Sequence, residues 1–347
     1  MSPPAESYDV VIIGAGPGGL SCAKHLAGST KKVLVLEKSA GLGEKICSGL
    51  ISPKAFPDMA STSEVRGVPW TEISVATRTS KKALTFTRPY LWTMGRKDIE
   101  GRLLKDCTAD VHFAEPVRRI TRDFVDTDKG RYTYKHLVGA DGSLSKVRKH
   151  LGLPTKHIVG WAFHYILDRP CEEFQMHWVP REFKGAYGYM MPKNKQQTMA
   201  GLAWAGESFD AEVAARAKKW IAHTFDIDPD KTPHEAMKGN ADYRGWRFGN
   251  TYLIGDAGGF LNPVTTEGIW FAMRSGEGVA RFILDDAEGE RILAKMVAKH
   301  RKQVRIFNLM TNRNLPLCWF IEWLFRNPGK GLRRRIFDGV FWNLMEG

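Results

Sequence analysis

Three glycines, Gly14, Gly16 and Gly19, stand between the apolar run YDVVII and a segment of helical character, and the next apolar run, KKVLVLE, ends on Glu37. This G-x-G-x-x-G spacing, with an acid about 20 positions on, is the chemistry of a dinucleotide cradle. Gly14 makes the tight turn, Gly16 lets the backbone approach a pyrophosphate, and Gly19 lets helix and strand pack closely. A helix from about Pro17 to Ala27 would offer its unpaired N–H groups to the phosphates. Glu37, with Lys38 beside it, would bind the hydroxyls of an adenosine ribose. The spacing alone leaves FAD and NAD both open.

Two later segments select FAD. HLVGADGSLSKVRKHLG (136–152) is a short apolar strand running into Asp141 and Gly142 and then a basic helix. TYLIGDAGGFLNPVTTEGIWFAMRSGEGVARFIL (251–284) is a strand ending at Gly255-Asp256, a loop, and a long helix opened by Gly268 and Ile269. Acids at the ends of buried strands sit where parallel sheets bind ligands. Asp256 is placed to accept hydrogen bonds from a polyol such as the ribityl chain of FAD, and the positive end of the helix suits the negative end of a reduced flavin ring.

Cys47 lies in the loop EKICSGL. A disulfide-redox flavoenzyme needs two thiols, as C-x-x-x-x-C shortly after the ribose-binding acid, and position 52 is serine, so that pairing is excluded. Two readings remain: Cys47 borders a cavity beside the cofactor, where it orients or protonates substrate, or it is a small buried hydrophobe. The five cysteines (22, 47, 107, 171 and 318) show neither CxxC nor zinc-ligand spacing. That pattern fits a reducing, cytoplasmic compartment and predicts no structural metal.

These groups need elements to hold them. At 347 residues and 43% hydrophobic, the chain is long enough for two or three packed units. Residues 66–92 and about 157–206 read as short strands, among them EFQMHWV with Phe174, Met176 and Trp178 on one face, then GAYGYMMPK and QTMAGLAWAG. Turns at Pro180–Gly185 and Lys193–Gln196 predict an antiparallel sheet. Of the net charge of +13, +9 falls after residue 290, where twelve Lys and Arg face only Glu322, Asp338 and Glu346. In that tail Leu317–Phe325 gathers Trp319, Phe320, Ile321, Trp323, Leu324 and Phe325, a run too short to span a bilayer and long enough to lie in its interface. Arg333–Arg335 would meet anionic headgroups. The alternative is a helical cap over the sheet with solvated charges; no recognised fold or stacking motif supports nucleic-acid binding.

Taken in order, GAGPGG, GADG and GDAGGFLNPVTTEGI resemble the FAD-dependent enzymes of the para-hydroxybenzoate hydroxylase superfamily. The resemblance implies an α/β fold: a discontinuous Rossmann-like FAD-binding domain (1–65, 93–156 and 248–285), an antiparallel β-sheet substrate domain (66–92 and 157–247) roofing the flavin, and a basic aromatic C-terminal helical region (286–347). Arg96, followed by Asp98, matches the arginine this superfamily places near the cofactor. The usual P-x-T-G-E-G reads Pro263-Val-Thr265-Thr266-Glu267-Gly268 here, so a side chain stands where backbone normally approaches the ring.

Within that superfamily, Tyr187-Gly-Tyr189-Met-Met-Pro192-Lys193 resembles the Y-x-W-x-F-P-K motif of the geranylgeranyl reductases, and Cys47-Ser48-Gly49 stands where that family often has C-G-G. The resemblance implies reduction of carbon–carbon double bonds in an isoprenoid chain, with Cys47, Tyr187 and Tyr189 as catalytic candidates and Tyr187, Tyr189, Pro192 and Trp204 against the substrate. A flavin monooxygenase acting on an aromatic compound or protein side chain is the alternative, and a flavoprotein serving a partner without turnover is a third. No second glycine fingerprint exists, so reducing equivalents are expected from transiently bound NAD(P)H or an electron-carrier protein.

Overall fold

The computed structural model describes residues 5–56, 67–77, 80–86, 89–155, 159–179, 183, 186–205, 210–311, 320, 322–324, 326 and 331–337. Most of the predicted turn at 180–185 lies outside them, as do Trp319, Ile321 and Phe325 of the aromatic run. The chain opens with β1 (Ala5–Ile13), α1 (Pro17–Leu26) and β2 (Val33–Leu36), then runs through β3 (Leu50–Ile51), β4 (Val68–Trp70), β5 (Glu72–Thr77), β6 (Ser80–Thr85) and β7 (Leu91–Thr93). It returns by α2 (Arg96–Lys105), β8 (Asp110–His112), β9 (Arg119–Ile120), β10 (Phe124–Asp126), β11 (Arg131–Gly139) and α3 (Lys146–His150). A second excursion comprises β12 (Val159–Leu167), β13 (Gln175–Trp178), β14 (Tyr187–Pro192), β15 (Thr198–Ala205), α4 (Ala211–Phe225) and β16 (His234–Asn240). Then come β17 (Arg247–Phe248), β18 (Thr251–Leu253), α5 (Gly255–Gly258), α6 (Ile269–Ile283), α7 (Ala287–Thr311) and a short helix, Gly331–Phe337.

The first sheet has a parallel centre in the order β18-β11-β1-β2-β8. Its strands are continuous apolar runs because both faces are covered: Val10 and Ile12 pack towards α1 and α6, while Val11 and Ile13 meet Val125, Leu137 and Val147 on the other side. Because these strands run parallel, their carboxyl ends, with the glycine and acid turns, share one edge of the sheet.

α1 and α6 approach closely enough to exclude side chains between them. A Cβ on Gly276 would strike the Gly18 carbonyl, and Ser21 Oγ donates to the Met273 carbonyl at 2.8 Å. Gly276→Val is therefore expected to cost about 1–3 kcal/mol by overpacking, read as a lower melting temperature. An unchanged melting temperature would show that the helices can part freely.

The second sheet runs β16-β12-β15-β14-β13-β5-β6. It is antiparallel as expected except between β13 and β5, which are parallel because β5 arrives from the earlier excursion. Strands β3, β7 and β4 form a separate small sheet, so the 66–92 segment divides between two sheets. Alternation gives the large sheet two distinct faces. Phe163, Tyr165, Leu202 and Trp204 pack on α4, whose Val213, Ala217, Ile221 and Phe225 recur every four residues beneath them. Asp210 caps α4 by accepting the Val213 N–H at 2.9 Å. The opposite face, with Val75, Phe174, Tyr189 and Met191, looks towards the first sheet.

Two imidazoles, His177 half-buried and His300 buried, tie stability to pH. His177 packs against Trp220 and Phe225, and His300 Nε2–H donates to the Ala241 carbonyl at 3.1 Å. Burial pushes both from 6.5 down to about 4. The unfolded chain thus takes up protons that the folded chain refuses, so stability is lost as pH falls from about 6.5 towards 4. The melting temperature should drop across that window, less steeply in His300→Gln; a flat profile would refute the assignment.

Candidate flavin site

A cavity of about 870 Å³ runs between the parallel sheet and the face of the large sheet opposite α4. At its floor, Gly14 adopts φ +107°, and a Cβ there would lie 2.8 Å from the Ala140 carbonyl carbon. Gly16 precedes α1, whose first turn carries Pro17 and no acidic residue, and no side chain caps the helix. The N–H groups at that end are therefore available to an anion. Gly19 lies away from the cavity lining, where a Cβ would strike the Gly14 carbonyl; it serves packing, as its place in the spacing implies.

Glu37 follows β2 and lines the cavity. Its Oε2 accepts the Ala15 N–H at 2.7 Å and its Oε1 the Ser39 N–H at 2.9 Å. A carboxylate has about four acceptor sites, so two remain for ribose hydroxyls. Lys38 lines the same end. Asp141 Oδ2 accepts the Lys146 N–H at 2.6 Å, capping α3, while its buried Oδ1 has no hydrogen-bond partner among the described residues. Burial raises the Asp141 carboxyl above its ordinary value. Gly142 beside it takes φ +77°.

At the other end of the floor, Asp256 projects from α5 and pairs with Lys45 at 3.1 Å. Lys45 carries no sequence signal that would single it out; only the fold brings its loop across to position 256. Gly268 caps α6 without a side-chain hydrogen bond, and Ile269 opens the helix; both line the cavity. The orphaned Asp141 oxygen, the bare Gly14 turn and two uncapped helix ends fit a flavin dinucleotide laid along this floor.

Arg96 starts α2, nine-tenths buried, and its Nε donates to Glu100 Oε1 at 3.0 Å. Burial works against its charge, but Cys47 and Glu100 outweigh that and raise it. The Cys47 sulfur accepts the Gly49 N–H at 3.4 Å, and Arg96 and Tyr189 line the same cavity. Cys47 borders the cavity and is half-buried. It is a free thiol, as are Cys22, Cys107 and Cys171. Ser52, where a second thiol would stand, donates instead to Glu267 at 3.2 Å, and Lys54 pairs with the same carboxylate at 2.9 Å.

The roof supplies the tyrosines. Tyr187 and Tyr189 both line the cavity from alternate positions of β14. Tyr187 donates to the Thr265 carbonyl at 2.9 Å, and its oxygen lies 2.7 Å from Thr266 Oγ1. Thr266 sits at φ +53°, a costly conformation for a β-branched residue, and Tyr187 helps hold it there. The threonine in place of glycine is therefore tied to the roof.

Two expected substrate contacts are placed elsewhere. Trp204 is fully buried on the α4 face of β15, because the two-residue alternation turns it away from the cavity. Pro192, at the end of β14, lines a small separate pocket near Trp70. Phe174, Met176, Ile73, Val75 and Leu84 occupy the roof where these were expected.

Fold and cradle together define a Rossmann-like FAD-binding flavoprotein fold. Comparison with known proteins agrees. A family described as pyridine nucleotide-disulphide oxidoreductase matches residues 8–175. An uncharacterised Methanosarcina barkeri protein is 25% identical over 342 residues, 92% of this chain and 84% of the relative. Among solved structures, a geranylgeranyl bacteriochlorophyll reductase-like protein of Thermoplasma acidophilum is similar at TM-score 0.68 and 16% identity, covering 99% of this chain and 93% of that one. The p-nitrophenol 4-monooxygenase of Pseudomonas putida is similar at TM-score 0.70 and 18% identity, covering 98% and 99%.

Proposed function

We propose that this chain is an FAD-dependent reductase of carbon–carbon double bonds in an isoprenoid chain. The observation that carries the reading is the hollow above the cradle, whose roof presents Ile73, Val75, Leu84, Phe174, Met176 and Met191. Apolar side chains of this kind bind a hydrocarbon chain and exclude water from it. Bound and reduced, FAD supplies a hydride equivalent. An unactivated alkene develops little charge for the protein to stabilise, so the chain's contribution is to hold the bond still in a dry hollow beside a proton donor. On this reading the donor is drawn from Cys47, Tyr187 and Tyr189, which line the cavity.

Reducing equivalents arrive, on this reading, from transiently bound NAD(P)H or an electron-carrier protein. A membrane-facing entrance suits a lipid substrate. Phe320, Trp323 and Leu332 are exposed, Arg333 lies 4.3 Å over the Trp323 ring, and Arg334 lies 5.1 Å over Phe86, which lines the cavity. No helix among the described residues is long and apolar enough to cross a membrane. The C-terminal region would therefore act as a peripheral contact with anionic lipid, tested by flotation with anionic liposomes at low salt.

The deciding experiment incubates dithionite-reduced, FAD-loaded protein with geranylgeranyl lipids and reads products by mass spectrometry. Products heavier by two hydrogens per double bond support the reading; oxygenated products would replace it with the monooxygenase, whose fold is equally similar.

A further inference from the structure

The cavity face of the roof carries a lateral row that crosses four strands. Register pairs Glu235 of β16 with His164 of β12, His164 with Gly201 of β15, and Gly201 with Tyr189 of β14. His164 is fully buried. Its Nδ1 lies 2.9 Å from Tyr189 Oη and its Nε2 3.2 Å from Glu235 Oε2. Lys193 donates to the other Glu235 oxygen at 2.7 Å. Gly201 makes the junction possible: a Cβ there would strike His164 Cβ, so the imidazole and the phenol meet across a position that has no side chain. Strands this far apart in sequence share the row only because their register aligns them.

We infer that Glu235, His164 and Tyr189 form a one-proton store that opens onto the cavity at the Tyr189 hydroxyl, making Tyr189 the acid that protonates substrate carbon. The inference rests on the double-bond reduction proposed above. In the loaded form His164 carries both ring protons, Nε2–H donating to Glu235 and Nδ1–H to Tyr189 Oη, which leaves the phenol O–H to the cavity. One alkene carbon accepts a hydride, the two-electron equivalent of a reduced flavin, and its neighbour takes the Tyr189 proton. The π bond is lost and two C–H bonds form. Tyr189 oxygen takes the Nδ1 proton, leaving a neutral imidazole still bonded to Glu235. After product release, a proton from bulk solvent, relayed by water in the cavity, returns through Tyr189 to His164 Nδ1.

The surroundings favour this division of labour. Burial holds the Tyr189 phenol well above its ordinary value, so a lone Tyr189 would be left as a costly phenolate; the Nδ1 proton avoids that state. Glu235 is held down to about 2, first by its hydrogen bond to His164, and so remains an anion beside the imidazole. The charged and titratable groups around the store are Glu235, Lys193 and Tyr189 at His164, and Tyr187 and Cys47 beyond Tyr189. Tyr187 has its hydroxyl committed to Thr265 and Thr266, which leaves Tyr189 as the roof phenol with a proton behind it.

Two measurements on FAD-loaded protein test the store. In ¹⁵N-histidine NMR, His164 is expected to show a protonated Nε2 and an Nδ1 signal that shifts in both Tyr189→Phe and Gly201→Ala. An unprotonated Nε2, or an Nδ1 untouched by Tyr189→Phe, would overturn it. With reduced protein and geranylgeranyl diphosphate, Tyr189→Phe is expected to slow reduction by roughly 100-fold and His164→Gln by roughly 10-fold, with flavin absorbance and lipid affinity retained. Wild-type rates in Tyr189→Phe would equally overturn the store. If wild-type protein reduces no double bond, the reductase reading fails and the NMR result alone judges the store.

Discussion

Gly14→Val protein is expected to purify without flavin colour and to bind added FAD at least roughly 100-fold more weakly, a loss of about 3 kcal/mol. The φ of +107° is one a β-branched residue adopts only at a cost. A valine Cβ would also press on the Ala140 carbonyl, and that corner cannot yield easily because the Ala140 N–H donates to the Ile13 carbonyl at 2.8 Å. Relief therefore moves the corner that positions Asp141 and Gly142, at the end of the cavity where the dinucleotide would lie. Titration with FAD, followed by visible absorbance, measures the effect, and circular dichroism checks that the sheets persist. Yellow protein with wild-type affinity would mean that Gly14 does not shape the cradle.

Trp204→Ala is expected to destabilise the protein by about 3–5 kcal/mol while leaving substrate affinity within about twofold. The indole is fully buried with Phe163, Tyr165 and Leu202 over α4, so truncation opens a void that the sheet and helix cannot both close. The cavity lies on the opposite face of the same strand, where Ala203 is the neighbour that lines it. Denaturant unfolding gives the first number and lipid binding the second. A stable variant with weakened lipid binding would return Trp204 to the substrate wall.

These two residues mark the boundary of what the chain reveals before it folds. Gly14 could be read because its requirement is local: a strand, a turn with positive φ and a helix follow one another within some twenty residues, and hydrophobic periodicity identifies each. The same holds for Asp256 and Gly268, which flank a strand end and a helix start close together in sequence. Trp204 was expected against the substrate and lies on the other face, because alternation divides side chains between two faces without saying which face the second domain turns to the cofactor. Pro192 shares that difficulty at the strand's edge.

The amino-acid sequence by itself determined the flavin cradle, the roof of short strands and the lone thiol in the loop after Glu37, since each depends on residue type and spacing over short distances. Tertiary structure alone decided that Cys47, Arg96 and Tyr189 line one cavity, that Lys45 reaches Asp256, and that Tyr187 holds Thr266. It also decided that Glu235 and Tyr189, far apart along the chain, meet at His164. The physical reason is register: pairing four strands in one order fixes which side chains become neighbours, and that order is set by the collective burial of two sheet faces.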